Sequence, residues 1–150
     1  FFYADDMAAA LREAGRVAKP GSPVVIQMWG LPESCDLEAM KVLARRVLPT
    51  PPPATPSPSQ LATPGVLERL AVEAGLDPRS TFDVRYAFEY PDAETLGRLT
   101  TAPAGIAALA GPAREASVRA QIVDALAAYR TPDGGYRLNN AFHYLVATAR

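Results

Sequence analysis

Apolar residues recur at helical spacing through Met7, Ala10, Leu11, Ala14 and Val17, and the pattern then changes abruptly. Val24, Val25, Ile26, Met28 and Trp29 form a nearly continuous apolar run broken only by Gln27. The first pattern predicts an amphipathic helix, with Asp5 or Asp6 as its cap and Arg16 and Lys19 at the end that suits the helix dipole. Pro20-Gly21 stops it. The second pattern predicts a strand without a polar face, which implies cover on both sides, as in a parallel sheet.

Further along, Leu37, Met40, Leu43 and Val47 share a stripe, predicting a helix from about Asp36 to Val47. PTPPPATPSPS, Pro49 to Ser59, follows; at about 3.1 Å per residue it would reach about 30 Å. Its composition suits a linker or a polyproline ligand, but the flanking pieces are too small to fold separately, so it reads as a surface loop within one domain. Thr63-Pro64 starts a helix with Leu67, Leu70, Ala71 and Ala74 on its buried stripe and Gly75 as its stop.

In STFDVRYAFEY, Phe82, Val84, Tyr86, Phe88 and Tyr90 alternate with Asp83, Arg85, Ala87 and Glu89. That predicts an exposed or edge strand over Thr81–Tyr90, packed on its aromatic side. Residues 91–130 read as helical: a short helix near Asp92, an Ala-rich piece after Pro103, and a longer helix from Pro112 to Tyr129 with Val118, Ile122, Ala125, Leu126 and Tyr129 on one face. TPDGG, Thr131 to Gly135, is a tight turn, and YRLNNAFHYLVATA predicts a last strand from Tyr136 to about Thr148.

The chain has 150 residues, 49% of them apolar and 21% charged, with a net charge of −1. This is a globular composition for one domain, and such a chain buries roughly 70% of its extended surface. No basic excess marks a nucleic-acid surface, and no apolar run reaches the ~20 residues of a membrane span. The chain opens on Phe1 rather than Met, which leads us to expect a processed, engineered or incompletely represented product. One cysteine, Cys35, excludes an internal disulfide and suits a reducing, cytoplasmic setting.

Few residues offer chemistry by themselves. A lone thiol with no plausible neighbouring histidine reads as inert rather than nucleophilic. His143, the one histidine, reads as a packed strand residue before a general base. With a single His and a single Cys, a tetrahedral zinc site is not available. Glu33, Asp36 and Glu38 cluster at a helix start, where acidic residues are ordinary dipole partners rather than a magnesium site.

Three pieces, LREAGRVAKPG, VLERLAVEAGL and GGYRLNNAFHYLVA, stand in an order and at spacings that matter together. The chain resembles the C-terminal half of a class I S-adenosylmethionine-dependent methyltransferase of the small-molecule type. The resemblance implies an α/β fold, the C-terminal part of a Rossmann-like sheet, in which strands 5, 7 and 6 lie side by side with strand 7 antiparallel. Val24–Trp29 would be strand 5, Thr81–Tyr90 strand 6 and Tyr136–Thr148 strand 7. Residues 1–150 would then be a single incomplete domain, with 31–60 a Pro-rich insertion and 91–130 a helical cover over the acceptor.

What the resemblance implies for function is a methyl acceptor that is a small molecule, S-adenosylmethionine as cofactor, and Phe1, Phe2, Tyr3, Trp29 and Tyr90 as substrate-binding residues. Methyl transfer demands mainly alignment, so no compulsory catalytic residue is expected. The glycine-rich turn and the ribose-binding acidic residue of the family have no counterpart here. We therefore expect weak or no binding of S-adenosylmethionine, and expect the cofactor-binding half in the parent polypeptide. A sheet beginning at strand 5 would leave Val24–Trp29 unpaired on one flank, which predicts self-association. Two other readings stand beside this one: a non-catalytic α/β module for dimerisation or apolar ligand binding, and a different α/β enzyme sharing only the helix–Pro-Gly–strand pattern.

Overall fold

The structure, a computed structural model, describes residues 4, 6–39, 58–101 and 111–150. The Pro-rich stretch up to Ser57, the helix expected beyond Ala39 and the Ala-rich piece after Pro103 lie outside the described residues. Helices α1 (Met7–Val17), α2 (Val66–Glu73), α3 (Ala93–Thr101) and α4 (Pro112–Ala125) accompany strands β1 (Pro23–Trp29), β2 (Leu76–Tyr90) and β3 (Tyr136–Ala149). The fold is mixed α/β with a three-stranded antiparallel sheet.

Strand order is β1-β3-β2. β1 pairs antiparallel with β3, Ile26 opposite Leu145 and Trp29 opposite Phe142. Along β2 and β3, Phe82 meets Tyr144, Asp83 meets His143 and Glu89 meets Arg137, so this pair is antiparallel too. The chain divides into two compact units. The first comprises Phe1–Ser34, Pro56–Tyr86 and Ala141–Arg150, and the second Cys35–Thr55 and Ala87–Asn140.

The first unit is built as its periodicity demands. Asp6 caps α1 by accepting from the Ala9 N–H at 2.8 Å, and Gly21, at φ 80, makes the turn into β1. α2 begins at Val66, later than Thr63-Pro64 suggests, because Gly65 is left-handed at φ 79 and acts as the cap. Gly75, at φ 83, ends it as expected. Leu11, Ile26, Met28, Leu61, Leu67, Ala71, Leu76 and Leu145 close into one buried cluster between α1, α2 and one face of the sheet.

Two expectations fail on the other face. β1 is not covered on both sides: Ile26 and Met28 are buried, whereas Val25 is 58% exposed. Nor is the aromatic side of β2 packed under a layer, since Phe82, Val84 and Tyr86 are 48%, 41% and 62% exposed. Among the described residues all helical cover in this unit joins the cluster on the opposite face, so alternation correctly marked a strand but misassigned its inner side. The exposed side chains are sheltered laterally instead; Phe82 stacks on Tyr144 with ring centroids 5.2 Å apart and planes 4° from parallel.

The second unit packs α3 against α4. Val118, Ile122 and Leu126 are buried with Leu96 and Leu138, whereas Ala125 of the expected face is exposed and Tyr129 is half-buried. α4 ends at Ala125 and a 3-10 turn, Ala127–Tyr129, completes the run. The crossing is close at Gly97, where a Cβ would stand 2.5 Å from Arg119 Cγ. Asp92 caps α3, accepting from the Thr95 N–H at 2.7 Å, and that bond holds its carboxyl below the usual range.

Candidate functional site

The exit of β1 is set by a close approach of two backbones. The Gly30 N–H donates to the Ala141 carbonyl at 2.7 Å, and a Cβ on Gly30 would lie 2.7 Å from Ala141 Cβ. Trp29, just before it, is half-buried against Phe142, centroids 5.0 Å apart at 33°. Trp29 thus sits at the C-terminal end of its strand, on the uncovered face of the first unit. Phe1, Phe2 and Tyr3 lie outside the described residues.

Beyond β1 the chain turns through Pro32–Ser34 and enters the second unit at Cys35, which bridges to Asn140. Here sequence reasoning missed the organising residue. Asn140 is 1% exposed; its Oδ1 accepts from the Leu37 N–H at 3.2 Å and its Nδ2 donates to the Leu138 carbonyl at 3.1 Å. Asp36 completes the clamp, its carboxylate accepting from the Asn139 N–H at 2.6 Å. Burial pushes the Tyr129 phenol up, reinforced by the Asp36 charge. Paired asparagines inside a largely apolar strand were the available signal.

Asn140→Ala removes a buried acceptor from the Leu37 N–H and a donor from the Leu138 carbonyl. Leaving such groups unsatisfied costs roughly 1–3 kcal/mol. We expect a loss of about 2 kcal/mol in urea unfolding with an unchanged m-value, and a neutral result would show that the clamp is incidental.

Tyr90 belongs to the second unit, in a cleft of about 670 Å³ lined by Glu89, Tyr90, Pro91, Thr131, Asp133, Tyr136 and Arg137, among others. The TPDGG turn builds one wall. Thr131 N–H donates to the Gly135 carbonyl at 2.9 Å, Gly134 takes φ 94, and a Cβ on Gly135 would stand 2.8 Å from the Tyr90 carbonyl oxygen. Glycine at 135 is therefore what lets the turn close on Tyr90.

Charge in the cleft is distributed simply. Arg137 pairs with Glu89 at 2.7 Å. The Thr131 hydroxyl and the backbone amides of Asp133 and Gly135 hold the Asp133 carboxyl below its ordinary value. Burial pushes the Tyr90 phenol up, so it stays a neutral hydrogen-bonding group at physiological pH. The cleft offers ring surface, the phenols of Tyr90 and Tyr136 and a rim that includes the Arg137–Glu89 pair, which suits a small, partly apolar ligand.

Comparison with known proteins adds no relative: no protein-family model matches the chain, and no curated protein matches it.

His143 lies on the face of β3 that carries Leu145, opposite Met28, and its Nδ1 is 2.6 Å from Asp83 Oδ1. It is a strand histidine oriented by a carboxylate, as the packed reading anticipated. Cys35 is a buried thiol. Asp36, of the acidic trio Glu33, Asp36 and Glu38, is committed to the backbone of β3. Among the described residues no group of His, Cys, Asp and Glu is arranged to hold a metal ion, and no helix is long and apolar enough to cross a membrane.

Among the described residues, neither glycine beside β1 forms the open turn that a nucleotide cofactor needs. Gly21 makes a helix-to-strand turn, the reverse of the strand-to-helix turn that lets backbone approach a nucleotide. The space over Gly30 is filled by Ala141.

Proposed function

We propose that this chain is the acceptor-side part of an S-adenosylmethionine-dependent methyltransferase that transfers a methyl group to a small molecule, with the cofactor-binding half supplied by other residues of its parent. The observation that supports this best is the place of the last strand. β3 runs antiparallel between β1 and β2, so β1 and β2 run the same way with a reversed strand between them. That is the arrangement of strands 5, 7 and 6 in the family the sequence resembles. The helix–Pro-Gly–strand unit at α1 and β1 stands in the matching position.

On this reading the cleft at Tyr90 serves the acceptor, and the protein works in the cytoplasm. A bound acceptor would meet neutral ring and phenol surface at Tyr90, where exclusion of water and alignment are the protein's contribution. This chain alone neither holds the cofactor nor turns over.

Calorimetry tests the proposal. Titrating S-adenosylmethionine into the 150-residue chain should give no binding heat into the millimolar range. The same sequence extended upstream in its own reading frame by roughly a hundred residues, enough for the nucleotide-binding βαβ units, should bind at micromolar concentration. Micromolar affinity in the short chain, or an upstream sequence without a strand and glycine-rich turn, would reject it.

The exposed Val25, Phe82, Val84 and Tyr86 favour a second reading, a non-catalytic module for dimerisation or apolar ligand binding. A start codon close to Phe1 would select it.

A further inference from the structure

We propose that the cleft at Tyr90 binds a small organic amine, held as its ammonium between the Asp133 carboxylate and the rings of Tyr90 and Tyr136. The inference rests on the reading of this cleft as the acceptor's place, and it names the chemical class of that acceptor. It concerns recognition, not the transfer.

Strand register brings the two rings together. Phe82 faces Tyr144, Asp83 faces His143 and Glu89 faces Arg137, so the next pair, at the strand ends, is Tyr90 opposite Tyr136. Residues directly opposite in an antiparallel pair carry their side chains on one face. Both tyrosines line the cleft of about 670 Å³, with Pro91 and Pro132 beside them. A cation within about 6 Å of a ring centroid is attracted by the negative face of the π system.

The turn that walls the cleft has spent its donors. Thr131 N–H donates to the Gly135 carbonyl at 2.9 Å, and Gly134 N–H to the Thr131 carbonyl at 3.0 Å. The Thr131 hydroxyl donates to Asp133 Oδ1, and the amides of Asp133 and Gly135 serve the same carboxylate. Pro132 has no N–H. Every donor from Thr131 to Gly135 is therefore committed within the turn. A carboxylate has about four lone-pair sites, so three such contacts leave room for one more bond at Asp133. A ligand at this wall meets an acceptor and no free donor. An ammonium, with donors and no acceptor, is the complement.

Charge points the same way. Among the residues that line the cleft, Arg137 is matched by Glu89 at 2.7 Å, which leaves Asp133 as the unmatched charge. Its carboxyl, held below the ordinary value, is ionised at neutral pH. Arg130 approaches the turn at Gly134 but does not line the cleft. Because Thr131 already fixes the carboxylate, a ligand does not bear the cost of ordering it.

The test is titration of 2-phenylethylamine into the full 150-residue chain at low salt, followed by amide NMR shifts. Saturable shifts should appear at Gly134, Gly135 and Tyr90, with an affinity roughly tenfold above that of 2-phenylethanol. Asp133→Asn keeps an acceptor for Thr131 and removes only the charge. It should weaken amine binding about fivefold and leave alcohol binding and the urea midpoint unchanged. Tyr90→Phe, which keeps the ring, should bind the amine as the parent does, and Tyr90→Leu about threefold less well. Nα-acetyl-lysinamide, an ammonium without a ring, should bind about fivefold more weakly than 2-phenylethylamine. Equal binding of the two would assign the site to lysine side chains and overturn the small-molecule source. The inference falls if no saturable shift appears, if the alcohol or 3-phenylpropionate binds as tightly as the amine, or if Asp133→Asn changes nothing. Any of these leaves the methyl-transfer reading intact. Conversely, an extended chain that fails to bind S-adenosylmethionine rejects methyl transfer and leaves recognition of the amine standing.

Discussion

Leu145→Ala should lower stability by about 3 kcal/mol, the largest single effect expected in this chain. Leu145 is 0% exposed on the central strand and belongs to the cluster that includes Leu11, Ile26, Leu67 and Leu76. Removing its isobutyl group forfeits transfer energy and leaves a void walled by helix on one side and sheet on the other, which neither element collapses to fill. For a chain of this size the midpoint should fall by roughly 6–12 °C. Val25→Ala provides the contrast: the side chain is 58% exposed, and its truncation should cost under about 1 kcal/mol. Both are read from denaturant curves with unchanged m-values. Equal losses at the two positions would mean that the uncovered face is packed in solution.

Gly30→Ala should cost about 2 kcal/mol for a different reason. Gly30 does not adopt a positive φ, so alanine meets no backbone penalty there. The obstacle is contact. The new methyl would lie 2.7 Å from Ala141 Cβ and 3.0 Å from the Ala141 carbonyl oxygen, and these are backbone-anchored atoms in a paired strand that cannot swing aside. Relief requires β1 and β3 to part just where Gly30 N–H donates to Ala141. The double variant Gly30→Ala/Ala141→Gly removes the methyl–methyl overlap but not the carbonyl contact, so it should recover about half of the loss. A Gly30→Ala protein as stable as its parent would show that the strands are farther apart than described.

Much of the framework was legible in local sequence. α1, β1, α2, α3, α4 and β3 begin or end where a cap, a proline or a left-handed glycine stands: Asp6, Gly21, Gly75, Asp92, Pro112. These signals act within a few residues and need no tertiary partner. The expected edge position of β2 followed from its charges, and Leu67, Ala71, Val118 and Ile122 are buried because a helix with one apolar stripe has one face to hide. Leu76–Ser80 lies outside the expected Thr81–Tyr90, where the apolar alternation is clear; Pro78 within it is tolerated on an edge strand. The candidate site was less legible: Tyr90 was named, but its cleft depends on Gly135 and Arg137, which sequence distance hides.

By itself, then, the sequence determined the type of each described helix and strand and the stops of α1 and α2, because those depend on steric preference and on the spacing of side chains along one element. Tertiary structure alone decided which face of the sheet is covered. Alternation in Phe82, Val84 and Tyr86 declares two sides, and only the placing of α1 and α2 over Leu145 says which becomes the interior. It also decided the role of Asn140, whose burial is tolerable because the Leu37 amide and the Leu138 carbonyl, remote or out of register in sequence, come within hydrogen-bonding reach only after the strand has paired.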